Sequence, residues 1–437
     1  MPFLPVLLTK TSAFALGLIG RGGSLPGELA LRVDPQIFDQ LTFDGPVILV
    51  TGTNGKTSTA NMIADAFQHA GKKVVTNRKG DNLREGIAAA LLKNASTSGH
   101  VKADAVVLEV DELNIRHILP HLPVAALVVN NFFRDQLDRA REMEQLIESI
   151  ESVLPDFAGK LILNGNDPNV IRLKDKAPNA QAIYFGLAEN AASVKTTGEA
   201  SEGKFCPRCG SRLEYDYYQY SHIGKFRCTH CDYQTPALDI ELTDIDLENG
   251  SFSEAGHAYK NPYEGMYSLY NAAALLAAAK TFGLPESAVE KTFAHAPQPA
   301  GRNEHFQCGD KSVRLNLVKN PTGANEVMKV IEKDPTEKSV VIVLNDNEQD
   351  GTDVSWIYDT HFERLMNEKT ASFWCTGTRG YDMALRLKYE GWNGPLQVVR
   401  DTEAALAEAL KEGSNVYVIA TYTALLPARN EIKKVCA

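Results

Sequence analysis

Apolar and polar residues alternate along the chain in blocks that predict strands and helices in turn. Between residue 46 and about residue 187, short runs rich in valine, isoleucine and leucine are separated by longer amphipathic stretches. The predicted strands are 46–51, 73–77, 103–110, 124–130, 160–164 and 182–185, and the predicted helices are 57–70, 83–94 and 141–152. This alternation is typical of a mostly parallel sheet covered by helices, so the predicted fold class is α/β.

The same alternation restarts after residues 297–301, which contain proline and glycine and predict a domain boundary. The predicted elements are strands at 339–344, 371–375, 396–399 and 415–420, and helices near 360–368 and at 380–389, 402–412 and 424–434. This pattern predicts a second, Rossmann-like α/β domain.

The remaining stretches complete the predicted domain organisation. We expect a packed helix at 3–19, a connecting segment at 24–45, short strands within 236–263, and helices at 266–282 and 286–295 that return to the first domain. The predicted domains are an N-terminal segment 1–45, a central domain 46–298 with an insert at 204–235, and a C-terminal domain 299–437.

Composition limits the possible functions. The chain has 437 residues and a formal net charge of −10, which argues against general binding to nucleic acid. The apolar stretch 3–19 is too short and too polar to span a bilayer, and contact with a membrane surface stays open. We expect a cytoplasmic protein, and work at the inner face of the membrane is the alternative.

A phosphate-binding loop is predicted at residues 46–61, PVILVTGTNGKTSTAN. An apolar strand leads into a tight turn, and a helix begins beyond it, so backbone N–H groups and the helix dipole face an anion. Lys56 would neutralise β/γ-phosphate oxygens, and the hydroxyl of Thr57 would bind Mg²⁺. The common motif G-x-x-x-x-G-K-[ST] would need glycine at position 50, where this chain has Val50.

Four cysteines in the insert have the spacing of a metal site. Cys206 and Cys209 form one C-x-x-C pair, and Cys228 and Cys231 form a second pair, with 18 residues between the two pairs. Two such pairs are typical of a zinc ribbon, in which four thiolates close the coordination sphere and stabilise a small fold. His230 is a less favoured ligand, and a nucleic-acid-binding ribbon is the functional alternative.

The sequence GTNGKT resembles the loop of the Mur ligase superfamily, whose members use ATP to convert a carboxylate into an acyl phosphate that an amine attacks. The resemblance implies that Glu109, at the end of ADAVVLEV, binds Mg²⁺. It assigns no role to Asp111. It also implies that the asparagine of Tyr270-Asn271-Ala272 contacts adenine and that Arg302 of GRNE contacts the ATP phosphates. The implied nucleotide-binding residues are Thr53, Asn54, Gly55, Lys56, Thr57, Ser58, Asn271 and Arg302, and Glu109 and Lys56 are also candidate catalytic residues.

Some positions depart from the superfamily pattern. In NNFFRDQLDR, Gln136 stands where the superfamily usually has a metal-binding histidine, so a second Mg²⁺ is in question. The neighbouring Asp135 and Asp138 could equally cap a helix. In NLVKNP, Asn316 and Lys319 replace an aspartate and a histidine, which indicates a divergent branch.

The stretch LNDNEQDGTDVSWIYD, residues 344–359, resembles the MurT family of ligase-like subunits of lipid II isoglutaminyl synthase. The resemblance extends over essentially the whole chain. It implies a heterodimer with a glutaminase subunit, GatD, in which Asp353 orients the partner's catalytic histidine. Asp346 and Asp350 are the alternatives, and on composition alone the stretch would be an acidic loop.

The function expected from this resemblance is ATP-dependent amidation of the D-glutamate α-carboxylate in the stem peptide of lipid II, with ammonia from the partner. The first alternative is a peptide ligase of the Mur or folylpolyglutamate type, which adds an amino acid. The second is an ATPase directed by nucleic acid through the ribbon, which the acidity of the chain disfavours.

Overall fold

The computed structural model describes residues 2–18, 23–78, 81–133, 143–196, 202–296, 301, 303–412 and 415–436. These residues form two compact units. The first contains the described residues up to Phe133 together with Glu144–Ala296, and the second contains those beyond Pro297 and also Met143, the first residue of a helix that otherwise belongs to the first unit.

The first unit is built on a nine-stranded sheet with neighbouring helices. Its described helices are α1 Phe3–Leu18, α2 Leu25–Val33, α3 Lys56–His69, α4 Arg84–Asn94, α5 Ile115–Ile118, α6 Met143–Glu151, α7 Pro168–Ile171, α8 Met266–Thr281 and α9 Glu286–His295. Its described strands are β1 Thr42–Phe43, β2 Val47–Thr51, β3 Val74–Thr76, β4 His100–Val101, β5 Ala105–Glu109, β6 Val124–Val129, β7 Lys160–Asn164, β8 Gln181–Leu187, β9 Leu213–Tyr220, β10 Ile223–Cys228, β11 Ile240–Asp246, β12 Ser251–Glu254 and β13 His257–Lys260.

The order of the strands brings four loops to one edge of the sheet. The order is β13-β12-β11-β8-β7-β6-β2-β5-β3, and the strands from β11 to β3 are parallel. Strands β2, β5, β6 and β7 are buried along most of their length, as expected for parallel strands covered on both faces. Their carboxyl ends therefore carry the loops in which open α/β sheets bind ligands.

The second unit has a six-stranded sheet with helices on both faces. Its described elements are β14 Glu304–Cys308, β15 Lys311–Leu317, α10 Pro321–Glu332, β16 Lys338–Val343, β17 Thr370–Thr376, α11 Gly380–Tyr389, β18 Leu396–Val398, α12 Thr402–Glu412, β19 Asn415–Ala420 and α13 Tyr422–Val435. The strand order is β14-β15-β19-β16-β17-β18, and only β14 runs antiparallel to its neighbour among these strands. Alternate residues of β16 enter two separate cores, Val340 with α10 and α11, and Val341 with α12 and α13.

The predicted strands and most predicted helices are confirmed, one predicted helix is wrong, and two helices were not predicted. The supposed connecting segment 24–45 contains α2, which buries Ala30 and Leu31. The helix expected near 360–368 is replaced by two short 3₁₀ turns, Ser355–Asp359 and Phe362–Leu365. Helix α10 was not predicted, although Asn320 caps it by accepting a hydrogen bond from the Gly323 amide at 2.8 Å.

Candidate active site

The predicted strand–loop–helix is present at residues 47–69. Strand β2 ends at Thr51, the turn follows, and α3 begins at Lys56 with Gly55 as its N-cap. Gly52 and Gly55 have φ of 125° and 85°, a region that favours glycine. At Gly55 a Cβ would lie 2.2 Å from Asn271 Oδ1, so a side chain cannot be accommodated there. The first turn of the 14-residue helix α3 offers the N–H groups that an anion requires.

The segment after β6 holds the loop in shape. The Thr53 amide donates to the Asn131 carbonyl at 3.0 Å, and the Phe133 amide donates to Thr53 Oγ1 at 3.0 Å. The Asn131 side chain pairs with the backbone of Asn54, at 2.9 Å from its N–H and 3.1 Å from its carbonyl. Thr53 and Asn54, predicted to contact nucleotide, thus also fix the shape of the loop against residues 131–133.

Asn271 lies next to the loop rather than at an open surface. It is only 3% exposed. Its Oδ1 accepts hydrogen bonds from Thr59 Oγ1 at 3.2 Å and Asn130 Nδ2 at 3.5 Å. The Asn130 amide also donates to Thr59 at 2.9 Å. In this arrangement Asn271 stabilises the start of α3, and its predicted contact with adenine stays a prediction.

Lys56 forms a buried ion pair that the sequence did not predict. Its Nζ lies 3.0 Å and 3.1 Å from the two carboxylate oxygens of Glu112. Both residues are nearly inaccessible, with exposures of 7% and 4%. Glu112 lies only three residues after Glu109. Nothing in the local sequence distinguishes the carboxylate of Glu112 from that of Asp111, which caps the short 3₁₀ helix Glu112–Asn114.

Glu109 occupies the predicted strand end. It pairs with Val50 across the parallel strands β5 and β2, which places it beside the start of the phosphate loop. Its carboxylate accepts a hydrogen bond from Asn82 Nδ2 at 2.9 Å, and Asn77 bonds both its backbone N–H and its carbonyl. These contacts fix the orientation of a carboxylate of the kind that binds Mg²⁺.

Four predicted site residues lie outside the described part of the chain. They are Asp135, Gln136, Asp138 and Arg302. The neighbours of Arg302 are described: Glu304 accepts from the Gly301 amide at 2.9 Å and binds Arg429 at 2.7 Å. Asn316 Oδ1 accepts from the Asn303 amide at 3.0 Å, so this asparagine stabilises the backbone at the start of the second unit.

The four cysteines of the insert come together as predicted. Their sulfur atoms all lie within 4.8 Å of one another. Cys206 Sγ is 3.6 Å from Cys231 Sγ, and Cys209 Sγ is 3.5 Å from Cys228 Sγ. A tetrahedron of Zn–S bonds of ~2.3 Å has S···S edges of about 3.8 Å, so the arrangement fits one metal ion with four thiolate ligands.

The three candidate aspartates of the second unit have different environments. Asp350 is 3% exposed, and its carboxylate accepts hydrogen bonds from the backbone N–H and the hydroxyl of Thr423 in α13. Asp346 binds Arg379 at 3.1 Å, and the hydrogen bonds from Thr378 and Arg379 lower its pKa. Asp353 is exposed and accepts one hydrogen bond, from the Ser355 amide at 2.8 Å, among the described residues. Of the three, Asp353 is the most accessible to a second protein, since Asp346 is partly buried and Asp350 is buried.

The chain matches two family models. The Mur ligase middle domain matches residues 50–279, and the C-terminal domain of MurT ligase matches residues 317–425. The first match includes the phosphate loop, and the second includes Asp353.

Similar proteins cover nearly the whole chain. The MurT subunit of lipid II isoglutaminyl synthase (glutamine-hydrolysing) from Staphylococcus aureus is 32% identical over 430 residues, which is 98% of this chain and 97% of that protein. The corresponding subunit from Streptococcus pneumoniae is 32% identical over 438 residues, 98% of this chain and 96% of that one.

Among solved structures, a pseudomurein peptide ligase type C from Methanothermus fervidus has a TM-score of 0.66 at 20% identity and covers 91% of this chain and 80% of that one. MurF ligase from Thermotoga maritima in complex with ADP has a TM-score of 0.58 at 15% identity and covers 94% and 84%. These structures establish the fold.

The fold and the phosphate loop define an ATP-dependent ligase of the Mur type. Within that class the chain belongs to the MurT family, on the evidence of both family models and of relatives that match it from end to end.

Proposed function

We propose that the protein is the synthase subunit of a lipid II isoglutaminyl synthase, which amidates the α-carboxylate of D-glutamate in the stem peptide. The observation that carries the proposal is the presence in one chain of a Mur-type phosphate loop and an exposed Asp353 in the loop that follows β16 of the second unit. A ligase that adds an amino acid needs the loop but has no use for Asp353.

The nucleotide and its metal are assigned to residues around the loop. Thr53 to Ser58 would surround the phosphates, with Lys56 as the cation, while Thr57 and Glu109 would hold Mg²⁺. Mg²⁺, when bound, neutralises charge on the phosphates. Asn271 and Arg302 complete the proposed ATP site, as the superfamily resemblance implies.

The proposed reaction has two steps. An oxygen of the D-glutamate carboxylate attacks the γ-phosphorus of ATP, forming an acyl phosphate and releasing ADP. Ammonia then attacks the acyl carbon, phosphate leaves, and a proton is lost to give D-isoglutamine. Holding the two reactants in line supplies much of the rate, because effective molarities of well-oriented groups reach about 10⁵ M or more.

Asp353 is assigned to the supply of ammonia. A glutaminase subunit, GatD, would bring the cysteine and histidine, and Asp353 would accept a hydrogen bond from that histidine and stabilise its charged form. The exposure of Asp353 supports this role, since a buried carboxylate could not reach a partner.

The domain organisation follows the same proposal. The insert 204–235 is a Cys₄ zinc ribbon within a central ATP-binding domain 46–298, and residues 299–437 form a Rossmann-like domain. The sulfur geometry and the two cores on either side of the second sheet support these assignments.

The proposed location is the cytoplasm, at the inner face of the membrane. Helix α1 exposes Phe3, Leu4, Leu7 and Phe14, and Lys10 is exposed on the same helix. The first acidic residue of the chain is Glu28, whereas Lys10 and Arg21 precede it, in a chain of net charge −10. An apolar surface with the exposed Lys10 on the same helix fits anionic lipid, although none of the described helices is long and apolar enough to cross a bilayer.

Mass spectrometry of lipid II incubated with the protein, Mg·ATP and ammonium tests the reaction. We expect the small mass decrease of a carboxylate that becomes an amide, and ADP formed in equal amount. A mass increase by a whole amino acid would instead establish the peptide-ligase alternative. ATP hydrolysis stimulated by DNA or RNA, with lipid II unchanged, would establish the nucleic-acid-directed one.

A further inference from the structure

The ribbon hairpin inserts its turn into the first unit. Strands β9 and β10 form this hairpin, and its turn carries Ser221, with φ of 46°, and His222. The His222 side chain is only 2% exposed, and its ring centroid lies 4.8 Å from that of Phe133. A histidine this deeply buried at the tip of an inserted hairpin is not required for metal binding, because the four cysteines lie at the other end.

His222 lies between two carboxylates. Its Nε2 is 3.3 Å from Asp167 Oδ1, and its Nδ1 is 3.6 Å from Glu202 Oε2. Burial acts to lower the pKa of His222, but these two carboxylates raise it to about 9. The imidazole is therefore a cation at neutral pH, and it compensates Asp167, which is fully buried.

The ribbon contacts three consecutive residues of the turn that follows β7. The Gly224 amide donates to the Asn166 carbonyl at 2.9 Å, His222 pairs with Asp167, and the Tyr233 hydroxyl donates to the Pro168 carbonyl. The hairpin and the ribbon body thus hold the 166–168 turn from one side.

The 166–168 turn and the end of β7 bind the segment after β6, which shapes the phosphate loop. Asp167 Oδ2 accepts from the Phe132 amide at 3.0 Å, and Asn164 Nδ2 donates to the Asn130 carbonyl at 2.9 Å. Residues 131 and 133 then bond the backbone of Asn54 and both the backbone and hydroxyl of Thr53. A continuous set of direct contacts therefore joins His222 to the phosphate loop through Asp167 and residues 131–133.

We propose that His222 is a positioning residue for the phosphate loop, and that the ribbon is a support of the nucleotide site rather than a separate recognition module. The proposal rests on the nucleotide site proposed above. It predicts that loss of the His222 charge leaves Asp167 buried without compensation, which displaces residues 131–133 and weakens nucleotide binding.

The test is the affinity for MgADP, measured by calorimetry on the full-length protein. We expect His222→Gln to weaken binding by about tenfold or more while zinc content stays at one ion per chain. His257→Gln is the matched control, because His257 also lies between two carboxylates, Glu286 and Glu290, each at 3.1 Å, but on the surface at the sheet edge. We expect that control to bind MgADP as the wild type does.

The pH dependence separates positioning from simple packing. Because the pKa of His222 is raised in the folded protein, its contribution is fully present below about pH 6.5 and is lost as the pH rises through about 9. We expect MgADP affinity of the wild type to fall over that range and that of His222→Gln to change little. Glu202→Gln keeps the imidazole and removes one of its two carboxylates, so it should move the fall to lower pH.

The outcomes are distinguishable. Equal MgADP affinity of His222→Gln and wild type, or a pH profile that Glu202→Gln leaves in place, would overturn the positioning role alone. Absence of MgADP binding by the wild-type protein would overturn the nucleotide site, and this proposal with it.

Discussion

At the scale of single residues, the main unexpected feature is the pairing of Lys56 with Glu112. The lysine predicted to bind phosphate is already neutralised by a buried carboxylate. A buried ion pair is costly to break on one side, because the remaining charge stays desolvated. Phosphates of a bound nucleotide can provide that charge instead, so Glu112 is expected to hold Lys56 in place until nucleotide arrives.

This exchange predicts the behaviour of Glu112→Gln. Without nucleotide the variant should lose about 3 kcal/mol in the free energy of unfolding, because Lys56 loses this charge partner. With saturating Mg·ATP the loss should become much smaller, since the phosphates restore a negative partner. Thermal or urea unfolding with and without nucleotide measures both values.

Glu28→Gln is the control for that experiment. It removes an exposed ion pair with Arg32, in which both side chains are at least 40% accessible, and should change stability by less than about 1 kcal/mol in either condition. A loss for Glu112→Gln that is the same with and without nucleotide would contradict the exchange of partners.

The candidate residues also show what a sequence can predict. Lys56, Thr57 and Glu109 follow from a strand–loop–helix and a neighbouring strand end, which are local patterns. Glu112 and His222 act through partners 56 and 55 positions away along the chain, namely Lys56 and Asp167. No local periodicity records such pairs, so only the structure reveals them.

At the scale of elements, the cysteine spacing predicted a closed metal site, whereas the docking of the ribbon was not predicted. The strands of the hairpin alternate buried and exposed residues only irregularly, with register shifts in β10. Helix α2 was missed for a related reason, because Pro26 and Gly27 near its start are more typical of a loop.

The prediction for a single element concerns helix α1 and its binding to lipid. The protein should sediment with vesicles of phosphatidylglycerol and much less with vesicles of phosphatidylcholine, because an apolar surface and basic residues act together. The triple variant Phe3→Ser, Leu7→Ser, Phe14→Ser should remain in the supernatant. These side chains are 43–71% exposed, so their replacement should leave the packing of the first unit intact.

A second exposed apolar surface supplies the control. Tyr381 and Tyr389 of α11 are 72% and 77% exposed, and the double variant Tyr381→Ser, Tyr389→Ser should bind vesicles as the wild type does. Equal binding of the α1 triple variant and the wild type would refute the role of α1.

At the level of the whole molecule, the division into two α/β units was predicted from the restart of the strand–helix alternation. One family model matches mainly the first unit, and the other matches the second. The chemistry proposed for each unit differs: the first activates a carboxylate with ATP, and the second completes a glutaminase in a partner. No single sequence pattern predicts this combination of two chemistries in one chain. The prediction depends on the resemblance of residues 344–359 to the MurT family.

We propose that Asp353 completes a catalytic site formed with another chain. The most direct measurement compares glutamine-driven with ammonia-driven amidation of lipid II by the complex with the glutaminase subunit, for wild type, Asp353→Asn and the nearby exposed Asp359→Asn. We expect Asp353→Asn to lose glutamine-driven amidation by at least about 100-fold, because the partner's histidine loses its orienting carboxylate, and to keep ammonia-driven amidation. Asp359→Asn should keep both. Glutamine-driven amidation by Asp353→Asn at the wild-type rate would contradict the role of Asp353 in a shared site.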